Sequence, residues 1–399
     1  MDRGSGRRPK AFFLPWMRVL GGIVVLGSCI AAPGRSPRPQ PVRPASSRPL
    51  VAASMALHAH SEPGLRGLTD SLDLITQNGM NLIGLSADWK DMEPSPGTYA
   101  MAAVLTDPLE ILVARYPEID GVVFCVRMID TFVRSVPGDL KATPFNSPEL
   151  LGRWDALIDA IAAQPAARRI THLLLGNEVD GYASLHPDEV GALMQMYARG
   201  VARVHLRLPG VRVGTITTSF GAHSFPEMFR ALASFGDVVV YTHYSVLGGS
   251  TGPWKMEPVA NIGAQLAYLG QLAEGKPFAF SEIGYASSSI NHSSAELDPF
   301  RKTGQLEFLL YNNLFDYPPD VCERYSALQQ IVPETICSFL ASLGLRSYDT
   351  GEPRLAWYAF VEGARSWTGG GELPGSFRRP SGLARRARPP RPGFDLPRR

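Results

Sequence analysis

From residue 51 to 362 the chain alternates short apolar runs with longer stretches whose apolar residues recur every three or four positions. The runs of β type are Val51–Leu57, Leu82–Ser86, Gly121–Val126, His172–Leu175, Arg212–Ile216, Val238–Tyr241, Phe278–Ser281 and Ala356–Val361. The helical stretches carry their own signals. Ser147-Pro148 reads as an N-cap with proline at the first helical position, followed by Leu150, Leu151, Trp154, Leu157, Ile158 and Ile161 at helical spacing. Pro187 opens a second pattern through Val190, Leu193, Met194, Tyr197, Val201 and Val204. Such alternation predicts parallel strands joined by helices, and eight strands are the number that closes an α/β barrel of the (β/α)₈ or TIM type. After the last of these runs, Gly369-Gly370-Gly371 introduces a Pro/Arg/Gly stretch without amphipathic period. Residues 363–399 are therefore expected to be a disordered tail. The helix that normally closes such a barrel is expected to be missing or replaced, and a shifted reading frame near the 3′ end would produce such a segment.

The first 50 residues break the alternation. Arg7, Arg8, Lys10 and Arg18 flank the apolar run Val19–Leu26, which is too short to span a membrane and fits an export signal. It ends in Leu26-Gly27-Ser28-Cys29, which resembles the cleavage box of bacterial lipoproteins and implies a lipid on Cys29. An ordinary signal peptide with a chance cysteine is the other reading, and both place the mature protein outside the cytoplasm. Residues 30–50, rich in Pro, Arg and Ser, read as a flexible tether.

Composition narrows the function classes. Hydrophobic residues make up 45% of the 399 and charged residues 19%, enough apolar material for a large core. The formal net charge of +2 conceals a basic tail from Gly369 to Arg399 and a mildly acidic body, so a nucleic-acid partner is not expected. Cys125, inside the apolar run Val122–Val126, reads as a buried inert thiol. Cys322 and Cys337 lie close in sequence inside an expected insertion, where an oxidising compartment allows a disulfide.

In such barrels catalytic groups come from the C-terminal ends of the strands. Strand four ends in Gly176-Asn177-Glu178-Val179-Asp180, and strand seven in Ser281-Glu282-Ile283-Gly284-Tyr285. Each is apolar until a glutamate appears at its end. These two strands face one another across the barrel mouth. Glycoside cleavage needs such a pair: one carboxyl protonated, to donate to the leaving oxygen, and one ionised. No phosphate-binding glycine loop or complete metal-ligand set appears, so neither cofactor nor metal is expected.

Taken together, these segments resemble clan A retaining glycoside hydrolases, over roughly residues 51–362. The resemblance implies that Glu178 is the acid/base, Glu282 the nucleophile, and cleavage a double displacement with retention. It implies further that Asn177 hydrogen-bonds the sugar 2-hydroxyl. Asp88-Trp89-Lys90-Asp91-Met92-Glu93-Pro94, then Pro96-Gly97-Thr98-Tyr99, resembles the clan's segment after strand two. Thr242-His243-Tyr244 falls where a His or Tyr orients the nucleophile, and Trp357 where a tryptophan floors the subsite of the cleaved sugar. Arg127, just past strand three, is placed to keep a carboxylate ionised by its charge. Trp89, and Trp254 in a glycine-rich loop, are candidates for stacking on sugar rings. Asp180 and Tyr182 flank the acid/base, while Glu93 and Tyr99 are read as loop-shaping. The expected partner is a β-linked oligo- or polysaccharide, cut within the chain by a monomeric enzyme whose contact with a membrane is its lipid anchor.

Two other classes stay open. A non-catalytic carbohydrate-binding barrel would need neither glutamate, though a missing closing helix would suit it. His58-Ala59-His60 resembles the metal-binding opening of amidohydrolase barrels, but of the later ligands only His243 is in place.

Overall fold

The computed structural model describes residues 49–56, 59–61, 65–247, 255–286, 306–329 and 333–369. Eight parallel strands form the wall of a barrel: β1 (Leu50–Ala53), β2 (Leu82–Asp88), β3 (Gly121–Asp130), β4 (His172–Asn177), β5 (Arg212–Thr218), β6 (Val238–Tyr244), β7 (Phe278–Gly284) and β8 (Leu306–Tyr311). They pair in the order β1-β8-β7-β6-β5-β4-β3-β2. The helices outside the wall are α1 (Leu65–Gln77), α2 (Asp107–Arg115), α3 (Pro148–Ala162), α4 (Val190–Arg207), α5 (Pro226–Phe235) and α6 (Val259–Leu272). After β8 come α7 (Pro319–Gln329), α8 (Pro333–Leu340) and α9 (Leu355–Thr368). Ser147 caps α3 as its sequence predicts, accepting from the Leu150 N–H at 3.2 Å.

The expected eighth strand is corrected. Residues 356–361 belong to α9, and the true β8 begins some fifty residues earlier, pairing with both β7 and β1. Leu355-Ala356-Trp357-Tyr358-Ala359-Phe360-Val361 is unbroken apolar sequence, whose period cannot be read over so short a run. Further on, Val361, Ala364 and Thr368 are buried at helical spacing. This is the closing helix that was expected to be missing, and it continues past residue 362 into what was read as tail. Arg365 and Thr368 donate to the carbonyls of Gln77 and Gly79, both at 2.9 Å, tying α9 to the turn between α1 and β2. The rest of the expected tail lies outside the described residues.

Between β1 and β2 the wall is joined through one residue, Asn81, by its side chain and its backbone, in place of a regular ladder. Asn81 offers its Oδ1 to the Val51 N–H and its own N–H to the Val51 carbonyl, both at 3.1 Å. Its amide nitrogen reaches Asp120 at 3.0 Å and the Pro49 carbonyl at 3.2 Å.

Inside the barrel, Val123, Cys125, Leu174, Ile216, Val240, Ala279 and Leu310 meet in one buried cluster. Cys125 is the buried thiol its sequence predicts, and burial pushes its pKa up. At the N-terminal ends of the strands, opposite the mouth, Glu307 on β8 crosses the interior to His172 on β4, at 2.9 Å, and to Arg212 on β5. Cys322 and Cys337 form a disulfide between α7 and α8. Among the described residues no helix is long and apolar enough to cross a membrane.

Replacing Asn81 by Ala leaves the Val51 N–H without its side-chain acceptor in the seam between β1 and β2. The expected loss is about 1–3 kcal/mol of unfolding free energy, read from denaturant midpoints. Amide exchange at Val51 should accelerate beyond exchange at the interior strands.

Candidate active site

Residues alternate between the two faces of a strand, so parity decides which side chains reach the mouth. On β6, Val238 and Val240 point into the barrel, while Val239 and Tyr241 pack outward against Phe229 of α5 and Leu266 and Leu269 of α6. Thr242 and Tyr244 continue the inward series. On β7, Ala279 points inward and Phe278 and Phe280 outward. By plain alternation Glu282 would follow the two phenylalanines into the hydrocarbon layer beneath the helices. It does not, because Phe280 pairs with Tyr241 and Glu282 with Thr242, which leaves Ser281 as an extra residue. That bulge reverses the parity and turns Glu282 into the mouth.

Two groups hold Glu282 there. The Tyr244 hydroxyl donates to its Oε2 at 2.5 Å, and the Asn312 amide nitrogen donates to the same oxygen at 3.2 Å. Asn312 also donates to the Tyr244 oxygen at 2.5 Å and contacts the Tyr317 hydroxyl at 3.2 Å.

Opposite, the end of β4 bends sharply. Gly176 takes φ +83°, and a Cβ there would sit 2.6 Å from both the Tyr197 hydroxyl and Val179 Cγ1. Glu178 itself is left-handed, at φ 46°. Its two carboxyl oxygens are received separately, Oε2 by the Thr131 hydroxyl and Oε1 by the Thr242 hydroxyl, each at 2.7 Å. Thr131 is left-handed too, at φ 52°, a costly conformation for a β-branched residue. Its N–H bonds the Asn177 carbonyl at 3.0 Å, locking the two bends together. The Asn177 side chain donates to Asp130 at 2.9 Å. Asp130 comes level with Asn177 because four residues of β3, from Val126, oppose two of β4.

The two glutamates titrate differently. Burial, then the charge of Glu282, pushes the Glu178 pKa up to about 8, against the pull of the two threonine hydroxyls. The Glu282 pKa is raised as well, by burial first and then by Asp130, with Tyr244, Arg127 and Asn312 each offsetting part of the rise. Arg127 is held at the mouth by Asp88, at 2.7 Å, and lies 3.6 Å from Asp130. Both carboxyls are thus raised, but three groups oppose the rise at Glu282 where two hydroxyls oppose it at Glu178, and only Glu282 has a cation among them.

No protein-family model and no curated protein matches the sequence. Solved structures do match the fold. An exo-β-1,4-mannosidase from Opitutaceae bacterium strain TAV5 superimposes with a TM-score of 0.61 at 19% identity, over 82% of this chain. The match takes in 61% of that protein, less than two thirds of its length. A GH5_18 protein from Bifidobacterium longum subsp. infantis gives 0.59 at 14% identity, covering 80% of this chain and 79% of the other. A GH5_18 variant from Streptomyces cattleya, in complex with Manβ1-4GlcNAc, gives 0.55 at 15% over 74% of each chain. This chain has the TIM-barrel fold of those glycosidases.

Of the residues singled out in the sequence, the structure brings Glu178, Glu282, Asn177, Arg127 and Tyr244 together at the mouth. The others lie elsewhere. His243 points outward, its ring nitrogens satisfied by Ser219 and Ser245 at 3.0 and 3.1 Å, and burial lowers its pKa to about 4. Trp89 is fully buried against Trp154, and its indole N–H is bound by Glu93 at 2.8 Å. Glu93 also receives the Gly97 N–H and the Arg153 guanidinium, so it organises the loop after β2. Trp357 is buried in α9 beneath the Arg346 guanidinium, far along the chain from the β8 end it was expected to occupy. Asp180 is buried and tied to Thr218, and Tyr182 to Glu189. Trp254, His58 and Cys29 lie outside the described residues; His60 is exposed. Sequence reasoning missed Asp130, Thr131, Asn312 and Tyr317. The signal for Asn312 was legible in principle, since it follows directly on the apolar run Leu306–Tyr311.

Hydrogen bonds to an ionised carboxylate lower its pKa, so removing them raises it. Tyr244→Phe and Asn312→Ala should each move the titration of Glu282 to higher pH, with the double variant displaced furthest. Carbon-13 NMR of the labelled glutamate carboxyls reads this directly. Equal titration curves in parent and variants would show that neither group bears on the carboxylate.

Proposed function

We propose that the chain is a β-glycosidase that cleaves O-glycosidic bonds by double displacement, with Glu178 as acid/base and Glu282 as nucleophile. The observation that carries this reading is the pairing of two carboxyl groups in unlike settings across one barrel mouth. Glu178 gives its proton to the glycosidic oxygen as the Glu282 carboxylate attacks the anomeric carbon. The bond to the leaving sugar breaks and a glycosyl ester forms. Glu178, now ionised, takes a proton from water, whose oxygen displaces Glu282 with a second inversion and hence net retention. Asn177, its amide oriented by Asp130, is suited to bind the sugar 2-hydroxyl.

The substrate class is a β-linked oligo- or polysaccharide. β-Mannosides are the first to try, because an exo-β-1,4-mannosidase and a protein holding Manβ1-4GlcNAc share the fold. A closing helix is present, which removes the feature that suited a barrel without catalysis.

The proton requirement fixes the sign of the pH profile. Glu178 must be protonated, so kcat/KM should fall as pH rises through about 8; Glu282 must be ionised, so it should also fall on the acid side. Glu178→Gln should flatten the alkaline limb and lower kcat by about 10²–10⁴-fold on substrates with poor leaving groups, less on dinitrophenyl glycosides. Glu282→Gln should abolish turnover, and a 2-fluoro glycoside should label Glu282 in the parent. Undiminished cleavage in either variant would refute the assignment.

We further infer export with a lipid on Cys29. The apolar run ending in Leu26-Gly27-Ser28-Cys29 supports this, as does a disulfide of the kind that persists outside the cytoplasm. Metabolic labelling with an alkyne fatty acid should mark the full chain in a bacterial host and leave the Cys29→Ala variant unmarked; equal labelling of the two would exclude that site.

A further inference from the structure

We propose that Tyr325 is a sugar-stacking platform of the cleft, presented on the nucleophile's side of the mouth by the disulfide-clasped pair α7–α8. This rests on the glycosidase reading above. Pyranose rings expose C–H faces that pack against aromatic planes, so an accessible ring beside the cleft would add to the affinity for a glycan. Trp89 and Trp357 cannot serve, since both are buried.

Among the described residues, Tyr325 is an exposed aromatic whose ring contacts the hydrogen-bond network of Glu282. The path is short: Glu282 to Asn312 at 3.2 Å, Asn312 to the Tyr317 hydroxyl at 3.2 Å, and the Tyr317 ring to the Tyr325 ring at 6.1 Å between centroids. The ring planes meet at 69°, and Tyr325 remains 39% exposed, so ring surface is left for a ligand. Its surroundings agree. Its exposed part is ring, while its hydroxyl end is buried, and that burial, then Tyr317 and the charges of Glu282 and Asp130, raises the Tyr325 pKa, with Arg127 lowering it. These are the charged groups of the mouth.

The segment that carries Tyr325 is built to hold it still. Cys322, one helical turn earlier, is bonded to Cys337 on α8. Cys322, Ile336, Phe339, Leu340 and Leu343 form a small core with Tyr244 and Tyr317 packed against it. Phe339 meets the Tyr244 ring edge-on at 5.8 Å. A ring fixed before binding loses little freedom on binding, so its contact contributes more fully to affinity.

The test uses the full chain with two probes, 4-nitrophenyl β-mannoside and β-1,4-mannotriose, on the parent and on Tyr325→Ala, Tyr325→Trp and Tyr268→Ala. Tyr268 is a similarly exposed aromatic on α6. Tyr325→Ala should raise KM for mannotriose about three- to tenfold, with kcat within about twofold of the parent. Tyr325→Trp should restore KM, and Tyr268→Ala should change nothing. Calorimetric binding of mannotriose to Glu282→Gln, with and without Tyr325→Ala, supplies a readout independent of turnover and should show the same loss. Cleavage by the parent with KM indifferent to Tyr325→Ala overturns the platform and leaves the glycosidase reading standing. Binding that depends on Tyr325 without cleavage by the parent overturns the glycosidase reading alone. A fall in kcat that Tyr325→Trp does not rescue marks a merely structural tyrosine and overturns the platform. Neither binding nor cleavage overturns both.

Discussion

One surplus residue in a strand decides whether this barrel has a site. β7 carries Phe278, Phe280 and Glu282 at even spacing, and a regular strand would send all three to the same face. That face is occupied by α5 and α6 and their leucines and phenylalanines. A carboxylate there would be ionised without a partner in hydrocarbon, at a cost of several kcal/mol. The bulge at Ser281 shifts the register against β6 and exchanges that outcome for a side chain facing Tyr244, Asn312 and the mouth. β3 uses the same device on the other side, where its longer path brings Asp130 level with Asn177. Both irregularities sit at the C-terminal ends of their strands, where the interior widens and the ladder can be broken without opening the core.

What the sequence made legible followed from local rules. Seven of the strands, the N-cap of α3, the inert Cys125 and the glutamates ending β4 and β7 could be found because each depends on neighbours in the chain. β8 could not. Leu306-Glu307-Phe308-Leu309-Leu310-Tyr311 holds a glutamate that finds its partners, His172 and Arg212, on strands far away in sequence. Residues 355–361 read as a strand because an unbroken apolar run has no visible period. With β8 misplaced, Trp357 was assigned to the mouth and Asn312 was overlooked. His243 and Tyr244 were indistinguishable by sequence, and strand parity separates them: the even-numbered residue faces in.

The segment after β8 supports the site from behind. Its core, centred on Cys322, Ile336, Phe339 and Leu340, has no strand of its own and closes on Tyr244 and Tyr317. The side chains that bind Glu282 are therefore held by helices that a disulfide joins. By the loop-entropy argument a crosslink over fifteen residues restricts the unfolded chain by about 3 kcal/mol. That is comparable to the whole contribution of a small packed cluster, so the pair can stay ordered although little of the barrel core reaches it. Tyr244 is then fixed twice, by the backbone of β6 and by Phe339 across its ring.

Rigidity of this kind matters because the opposite wall is strained. Thr131 and Glu178 both occupy left-handed backbone, at roughly 1–3 kcal/mol each, and Gly176 beside them has no room for a side chain. Left alone, the turn would relax by swinging Glu178 away from the threonines that receive its oxygens. Three bonds prevent this: Thr131 N–H to Asn177, Thr131 Oγ1 to Glu178 and Thr242 Oγ1 to Glu178. One hydroxyl comes from the turn just after β3 and the other from β6, two strands beyond β4, so relaxation at Glu178 would have to separate segments anchored to strands whose interior faces share one packed core. The strain is therefore held by the closed wall itself, and the Glu178 carboxyl stays turned toward the mouth that Glu282 also faces.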